Sequence, residues 1–247
     1  MAERGGPEAE AVLAPQERPR RRPGGARPDG PLLERSQIVE AALALTRRFG
    51  LDGMSMRKLG TELGVTSMAI YWYFKGKDEL VDAILEYVFA EVPLPDDASR
   101  AWDERLRALS WAVHDVLIEY PGVADQLYTY QNYPASAVPL VEYGIQALRD
   151  AGFDEVAAAQ AFDVLASVVV TRSHFEAFQR LVIDREPANS VEERILEGWG
   201  RLNGAIDSSV PNTRSYVEHL DATGQTPKVF EQALEVVLAG LATTLPS

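Results

Sequence analysis

Apolar residues recur every three or four positions along most of this chain, and no stretch alternates as a half-buried strand does, so the pattern predicts an all-α protein. Ile38, Ala42, Leu45 and Phe49 mark a first helix over about 33–49, stopped by Gly50 and Gly53. Met56, Leu59 and Leu63 form the apolar face of a second, with Ser55 as its cap and Gly64 as its left-handed end. Thr66 caps a third, which buries Val65, Ala69 and Ile70. A fourth starts near Lys77, with Asp78 and Glu79 at its positive end, Leu80, Ile84, Leu85 and Val88 as its stripe, and Pro93 and Pro95 after it.

The rest reads as a helical body. Trp102, Leu106, Leu109, Val113, Val116, Leu117 and Tyr120 share one face of a long helix that Pro121-Gly122 breaks. A short helix over about 123–128 leads into an irregular aromatic stretch through Tyr133-Pro134, then a helix over about 136–151. Asp154 opens a long apolar helix to about Arg180. Residues 184–226 are polar and broken, with one weak helix near 191–199, and Pro227 opens the last helix. The two helices over 154–180 and 227–245 are apolar on most sides. They fit either the centre of a monomeric bundle or a four-helix dimer interface.

The second and third helices have the spacing of a helix-turn-helix. An ordinary helical hairpin has similar spacing, but Tyr71, Trp72 and Tyr73 are adjacent and about 100° apart on a helix, so one buried face cannot hold all three. Beside Lys75 and Lys77 they suit phosphates and base edges. The motif segments Leu33–Leu45, Gly53–Leu59, Leu63–Val65 and Ile70–Lys77 occur in an order that resembles the DNA-binding head of the tetracycline-repressor (TetR) family. Tyr71, Trp72 and Arg57 are similar to the tetracycline-repressor subfamily in particular. Residues 1–30, rich in Pro, Gly and Arg and nearly free of apolar residues, read as a disordered basic tail, and the resemblance implies a helix-turn-helix domain over 31–92 and a helical ligand-binding and dimerisation domain over 93–247. It also implies a homodimer on double-stranded palindromic operator DNA, released by a small organic ligand.

Carried over by position, Ser67, Met68, Ala69, Tyr71, Trp72 and Tyr73 lie on the groove-facing helix, Arg57 reads a guanine and Lys77 holds a phosphate. Ser67, Met68, Ala69 and Tyr73 depart from the subfamily, so the operator sequence differs. Ligand-site candidates are Trp111, His114, Tyr128, Tyr130, Tyr133, His174 and Phe175, although core filling is the commoner fate of residues such as Trp111, Tyr128 and Phe175, and a satisfied or exposed histidine the commoner one for His114. Candidates for the dimer interface are Phe162, Leu165, Val168, Val169, Leu234, Val237, Leu238 and Leu241. The subfamily's magnesium-binding histidine corresponds to a position near Leu127, so no metal and no cofactor is expected.

Charge refines this picture. The 247 residues carry a net charge of −13, which looks wrong for a DNA binder. Residues 1–90 hold 13 basic and 13 acidic residues, so the whole excess falls on residues 91–247. An acidic body would repel phosphate and leave the head as the docking surface. The run Arg18, Arg20, Arg21, Arg22 and Arg27 reads either as a disordered DNA-following arm or as a solvated tail. There is no cysteine, no signal-peptide core and no uninterrupted apolar run of membrane length, so a cytoplasmic protein is expected, with no membrane partner. No nucleophile elbow, phosphate-cradling loop or His-Glu metal pair points to an enzyme. The other reading of the head is an architectural or cell-division DNA-binding protein with no inducer. A solid body core would favour it, and a pocket with polar groups would favour the sensor.

Overall fold

The computed structural model describes residues 33–96, 99–185, 204, 211–215 and 227–245. The arginine-rich tail and the weak helix near 191–199 lie outside the described residues. All regular structure among the described residues is helical. The head holds α1 (Arg35–Gly53), α2 (Met56–Glu62), α3 (Ser67–Ile70) and α4 (Lys77–Ala90). The body holds α5 (Trp102–Leu117), α6 (Val123–Thr129), a 3-10 turn (Ala135–Ala137), α7 (Val138–Asp150), α8 (Glu155–Arg185) and α9 (Pro227–Thr243).

The sequence signals account for the boundaries. The α1 span is broken where Gly50 takes φ +69°, so its regular part ends where the glycine was expected to stop it. Asp154 Oδ1 accepts from the Ala157 N–H at 2.8 Å and opens α8. Ile38, Ala42, Leu59, Ile70, Leu80, Ile84 and Leu85 close a head core with almost no exposed surface. The body core is a second cluster, in which Leu106 and Leu148 meet Leu165 and Val169 of α8 and Phe230, Leu234 and Leu238 of α9.

Helix α8 is long and apolar enough to cross a membrane by length and composition. It instead packs on α5, α6, α7 and α9, and it buries the carboxylate-bearing Glu176.

Head and body meet at the corner between α5 and α6. The Leu51 N–H donates to Pro121 O at 2.8 Å. Glycine is needed on both sides of this joint. A β-carbon on Gly50 would lie 3.1 Å from Leu181, and one on Gly122 would lie 3.1 Å from Leu51. Beside it, the buried Tyr120 hydroxyl donates to Glu91 at 2.7 Å and accepts from Arg47, whose guanidinium also lies 4.5 Å from the Tyr120 ring centre. Burial, and then the bond to Glu91, push the Tyr120 phenol well above its ordinary value, so it stays protonated. Replacing Tyr120 by Phe removes both bonds, while Arg47 and Glu91 remain 3.9 Å apart. We expect a loss of about 1–2 kcal/mol in chemical denaturation. An unchanged midpoint would show that the hydroxyl is not part of the joint.

Candidate DNA-reading face and body cavity

In the head, both expected caps form. Ser55 Oγ accepts from the Lys58 N–H and Thr66 Oγ1 from the Ala69 N–H, each at 3.3 Å. Gly64 turns between the helices at φ +67°. Helix α3 is only four residues long, and Tyr71, Trp72 and Tyr73 continue it as a turn. Ile70 is the residue it buries, with Val65 and Ala69 half-buried. Trp72 is 85% exposed and Met68 69% exposed, which removes core packing as an explanation for either. Tyr71 and Arg57 are exposed beside them, and Ser67, Tyr73 and Lys77 are half-buried. Lys58 is spoken for: its Nζ donates to Gly53 O at 2.7 Å and lies 4.7 Å from the Phe49 ring centre.

A clamp behind this face was not read from the sequence. Arg35 Nη1 donates to Tyr73 O at 2.7 Å and to Glu79 at 3.0 Å, and its guanidinium lies 4.0 Å from the Phe74 ring centre. Glu79 also accepts from the Lys75 N–H at 2.8 Å. That backbone bond, and then Arg35, hold the Glu79 carboxyl below the usual carboxylate range. The clamp fixes the turn that presents Tyr71 and Trp72. Its parts lie 38 and 44 residues apart in sequence, beyond the reach of local pattern.

In the body, a cavity of about 350 Å³ opens between α5, α6, α7 and α8. Its walls include Leu109, Val113, Leu127, Leu140, Phe162 and Val170, with Phe89 contributed by α4. Its polar side chains are Ser110, Ser167, Asp163 and the two tyrosines Tyr128 and Tyr133. Leu127, near the expected site of the missing metal ligand, is one of its buried apolar walls. Among the described residues no group of three His, Asp or Glu side chains is placed to hold a metal ion.

Two regions of this sequence match known families. Residues 38–84 match the bacterial regulatory proteins of the tetR family, and residues 94–245 match the tetracyclin repressor-like C-terminal domain. The chain belongs to the TetR family. A transcriptional regulator of Saccharopolyspora erythraea is 34% identical over 137 residues, a match spanning 56% of each chain. The class A tetracycline repressor of transposon 1721 from Escherichia coli is 28% identical over 217 residues, covering 85% of this chain and 91% of that one. These relatives support a DNA-binding regulator without singling out the tetracycline-repressor subfamily. Streptomyces coelicolor ActR in complex with actinorhodin has the same fold, with TM-score 0.70 at 23% identity over 87% of this chain and 98% of that one.

Of the seven ligand-site candidates in this TetR-family protein, only Tyr128 and Tyr133 line the cavity. Trp111 and His114 turn toward α9, where His114 stacks on Phe230 at 3.8 Å and Trp111 meets it edge-on at 4.7 Å. His174 lies 3.1 Å from Asp125, and Phe175 is exposed on α8. Tyr130 lines a separate polar groove between α1, α4 and α6 that also holds Lys77. Helical spacing marks these residues as aromatic and inward, but not which side of α5 or α8 the cavity occupies. The wall residues that sequence reasoning missed, Phe89, Leu109, Val113 and Phe162, look like any core residue.

Helix α4 is tied to the cavity's edge. Glu86 accepts from the N–H groups of Ala135 and Ser136 at 2.7 and 2.9 Å, and these bonds hold its carboxyl below the usual range. Asp82 accepts from Asn132 at 2.7 Å. Between these ties and Tyr128, Gln131 sits at φ +51°, a strained setting for a non-glycine residue.

The outward faces of α8 and α9 differ from the expected ones. Leu165, Val169, Leu234 and Leu238 are occupied within the subunit's own core, while Phe162 lines the cavity and Val237 and Leu241 pack partly on that core. Val168 is half-buried. The exposed stripes are instead Val164, Phe175 and Phe178 on α8, with the half-buried Val168 between them, and Val229, Val236 and Gly240 on α9. Both helices are apolar on two sides, so periodicity could not say which side faces inward.

His114 gives the body a pH dependence. It is buried, with Nδ1 2.9 Å from Ser173 Oγ and Nε2 3.3 Å from Glu176. Burial lowers its proton affinity below the ordinary histidine value, and Glu176 offsets this only in part. The unfolded chain therefore takes up a proton that the folded chain does not. Stability falls as pH drops below the ordinary histidine value of about 6.5 and is regained above it. Melting between pH 7.5 and 5.5 will show a smaller loss for His114→Gln than for wild type. Parallel curves would place the dependence elsewhere.

Proposed function

We propose that this regulator is a homodimeric repressor that holds a palindromic operator and releases it when a largely apolar, ring-bearing molecule fills the body cavity. The observation that carries this reading is the cavity beside α4, whose Phe89 is part of its wall and whose Glu86 is bonded to its edge. The same cavity counts against an architectural protein with no inducer, which has no use for a hollow body. Two proteins of the same fold carry small molecules: ActR in complex with actinorhodin, and a glutamine-to-alanine variant of TetR from Acinetobacter baumannii in complex with minocycline.

Two recognition helices enter successive major grooves only if they sit one DNA turn apart, roughly 34 Å. A dimer sets that separation through its body. The exposed stripes of α8 and α9 suit a two-fold interface, because each subunit offers the same two apolar faces. A ligand that fits better when the heads are moved apart or rotated lowers operator affinity by the ratio of its affinities for the two states.

On the DNA face, Arg57 carries the fork that pairs with guanine O6 and N7, and Met68 and Trp72 offer apolar contact. Arg57→Ala should cost about 1–3 kcal/mol and relax preference at one base pair per half-site. Lys77→Ala should weaken all sequences alike and lower the slope of log affinity against log salt by about 1. Fluorescence anisotropy across a salt series measures both, and two wild-type-like titrations would refute the helix-turn-helix assignment. For the dimer, Val236→Asp or Val164→Asp should give a folded monomer in sedimentation, since an unpaired charge in an apolar interface is costly. A wild-type monomer at micromolar concentration would remove the interface.

A further inference from the structure

The charge of the cavity's lining says more about its occupant than its size does. We propose that the cavity, read as the ligand site above, selects organic cations, an aromatic or polycyclic amine rather than an acid. Among the described residues that line it there is no lysine, arginine or histidine. Its single ionisable acid is Asp163 on α8, which is exposed to solvent and, among the described residues, has no hydrogen-bond or ion-pair partner.

Three observations converge on the same sign of charge. Asp163 is an exposed carboxylate with no cation beside it among the described residues, in a lining whose other polar side chains, Ser110, Ser167, Tyr128 and Tyr133, are uncharged, so a ligand's ammonium would find a partner there. The two tyrosines that share the lining, Tyr128 and Tyr133, are 66% and 69% exposed. Aromatic faces carry negative charge density and attract ammonium groups. The segment that forms the body, residues 91–247, holds the whole excess of acids over bases in the chain. Its field draws cations toward the body and repels anions. A carboxylate ligand meets the opposite on every count: no cation to pair with, a fixed negative charge beside it and a repelling field.

Anthracene carrying an aminomethyl, hydroxymethyl or carboxylate group at the 9 position gives three probes of one ring system and three charges. Titration of the dimer, read by anthracene emission, should rank them amine, alcohol, acid. The amine should bind about tenfold tighter than the alcohol through the carboxylate and the ring faces together. Asp163→Asn should remove most of that preference while leaving the alcohol unchanged, and Asp163→Glu should restore it. Ala159→Trp, at an exposed position of the lining, should block all three probes and so place them in this cavity. A preference for the acid, or an amine affinity that Asp163→Asn leaves intact, overturns the proposal. Failure of all three probes, the neutral alcohol included, to bind the wild-type protein overturns the ligand site itself, a result distinct from binding without charge preference.

Discussion

The DNA-reading head is fastened to the body at a joint on the α5–α6 corner. The Leu51 N–H bonds to Pro121 O, and Gly50 and Gly122 beside it hold φ +69° and +89°, a backbone setting that favours glycine. Tyr120, one residue away, reaches α1 through Arg47 and the end of α4 through Glu91. Two of the four head helices are thereby fastened to the same corner of the body. A head joined in this way follows the body rather than swinging on a linker. The proposed induction needs that property, because a change at the cavity reaches DNA only through parts that move together. Glu86 and Asp82 fasten α4 a second time, to the turn after α6 whose Tyr133 lines the cavity.

Much of this was legible in the chain because it is local. Ser55, Gly64 and Thr66 set the helix-turn-helix through hydrogen bonds three residues long and one positive φ, and those signals survive any tertiary context. Adjacent aromatics at 71–73 implied exposure on geometric grounds, and Trp72 is exposed. What was illegible is pairing at long range. The Arg35–Tyr73 clamp and the Glu86 ties span tens of residues with no periodic trace. The sidedness of α8 failed for a related reason. Leu165 and Val169 face inward and Val164 outward, yet all three are apolar, so composition does not separate core from interface. Trp111 and His114 went to Phe230 on a helix more than a hundred residues later in the chain.

The acidic charge that first argued against DNA binding takes its place in this account. Residues 1–90, tail and head together, are balanced, with Arg57, Lys75 and Lys77 near the reading face, while the body carries the excess of acid. The same asymmetry that keeps phosphate away from the body would gather organic cations at Asp163. Head and cavity would then prefer ligands of opposite charge.

The central claim is that filling the cavity changes the arrangement of the two heads. The chain has no cysteine, so a single Glu40→Cys substitution on the exposed side of α1 gives one spin label per subunit. Pulsed electron–electron resonance then reads the head-to-head distance in the dimer. The account predicts a narrow distribution on operator DNA and a displaced one when 9-(aminomethyl)anthracene saturates the DNA-free dimer. A probe that is bound by its own emission, yet leaves the distribution where operator DNA holds it, would contradict the account.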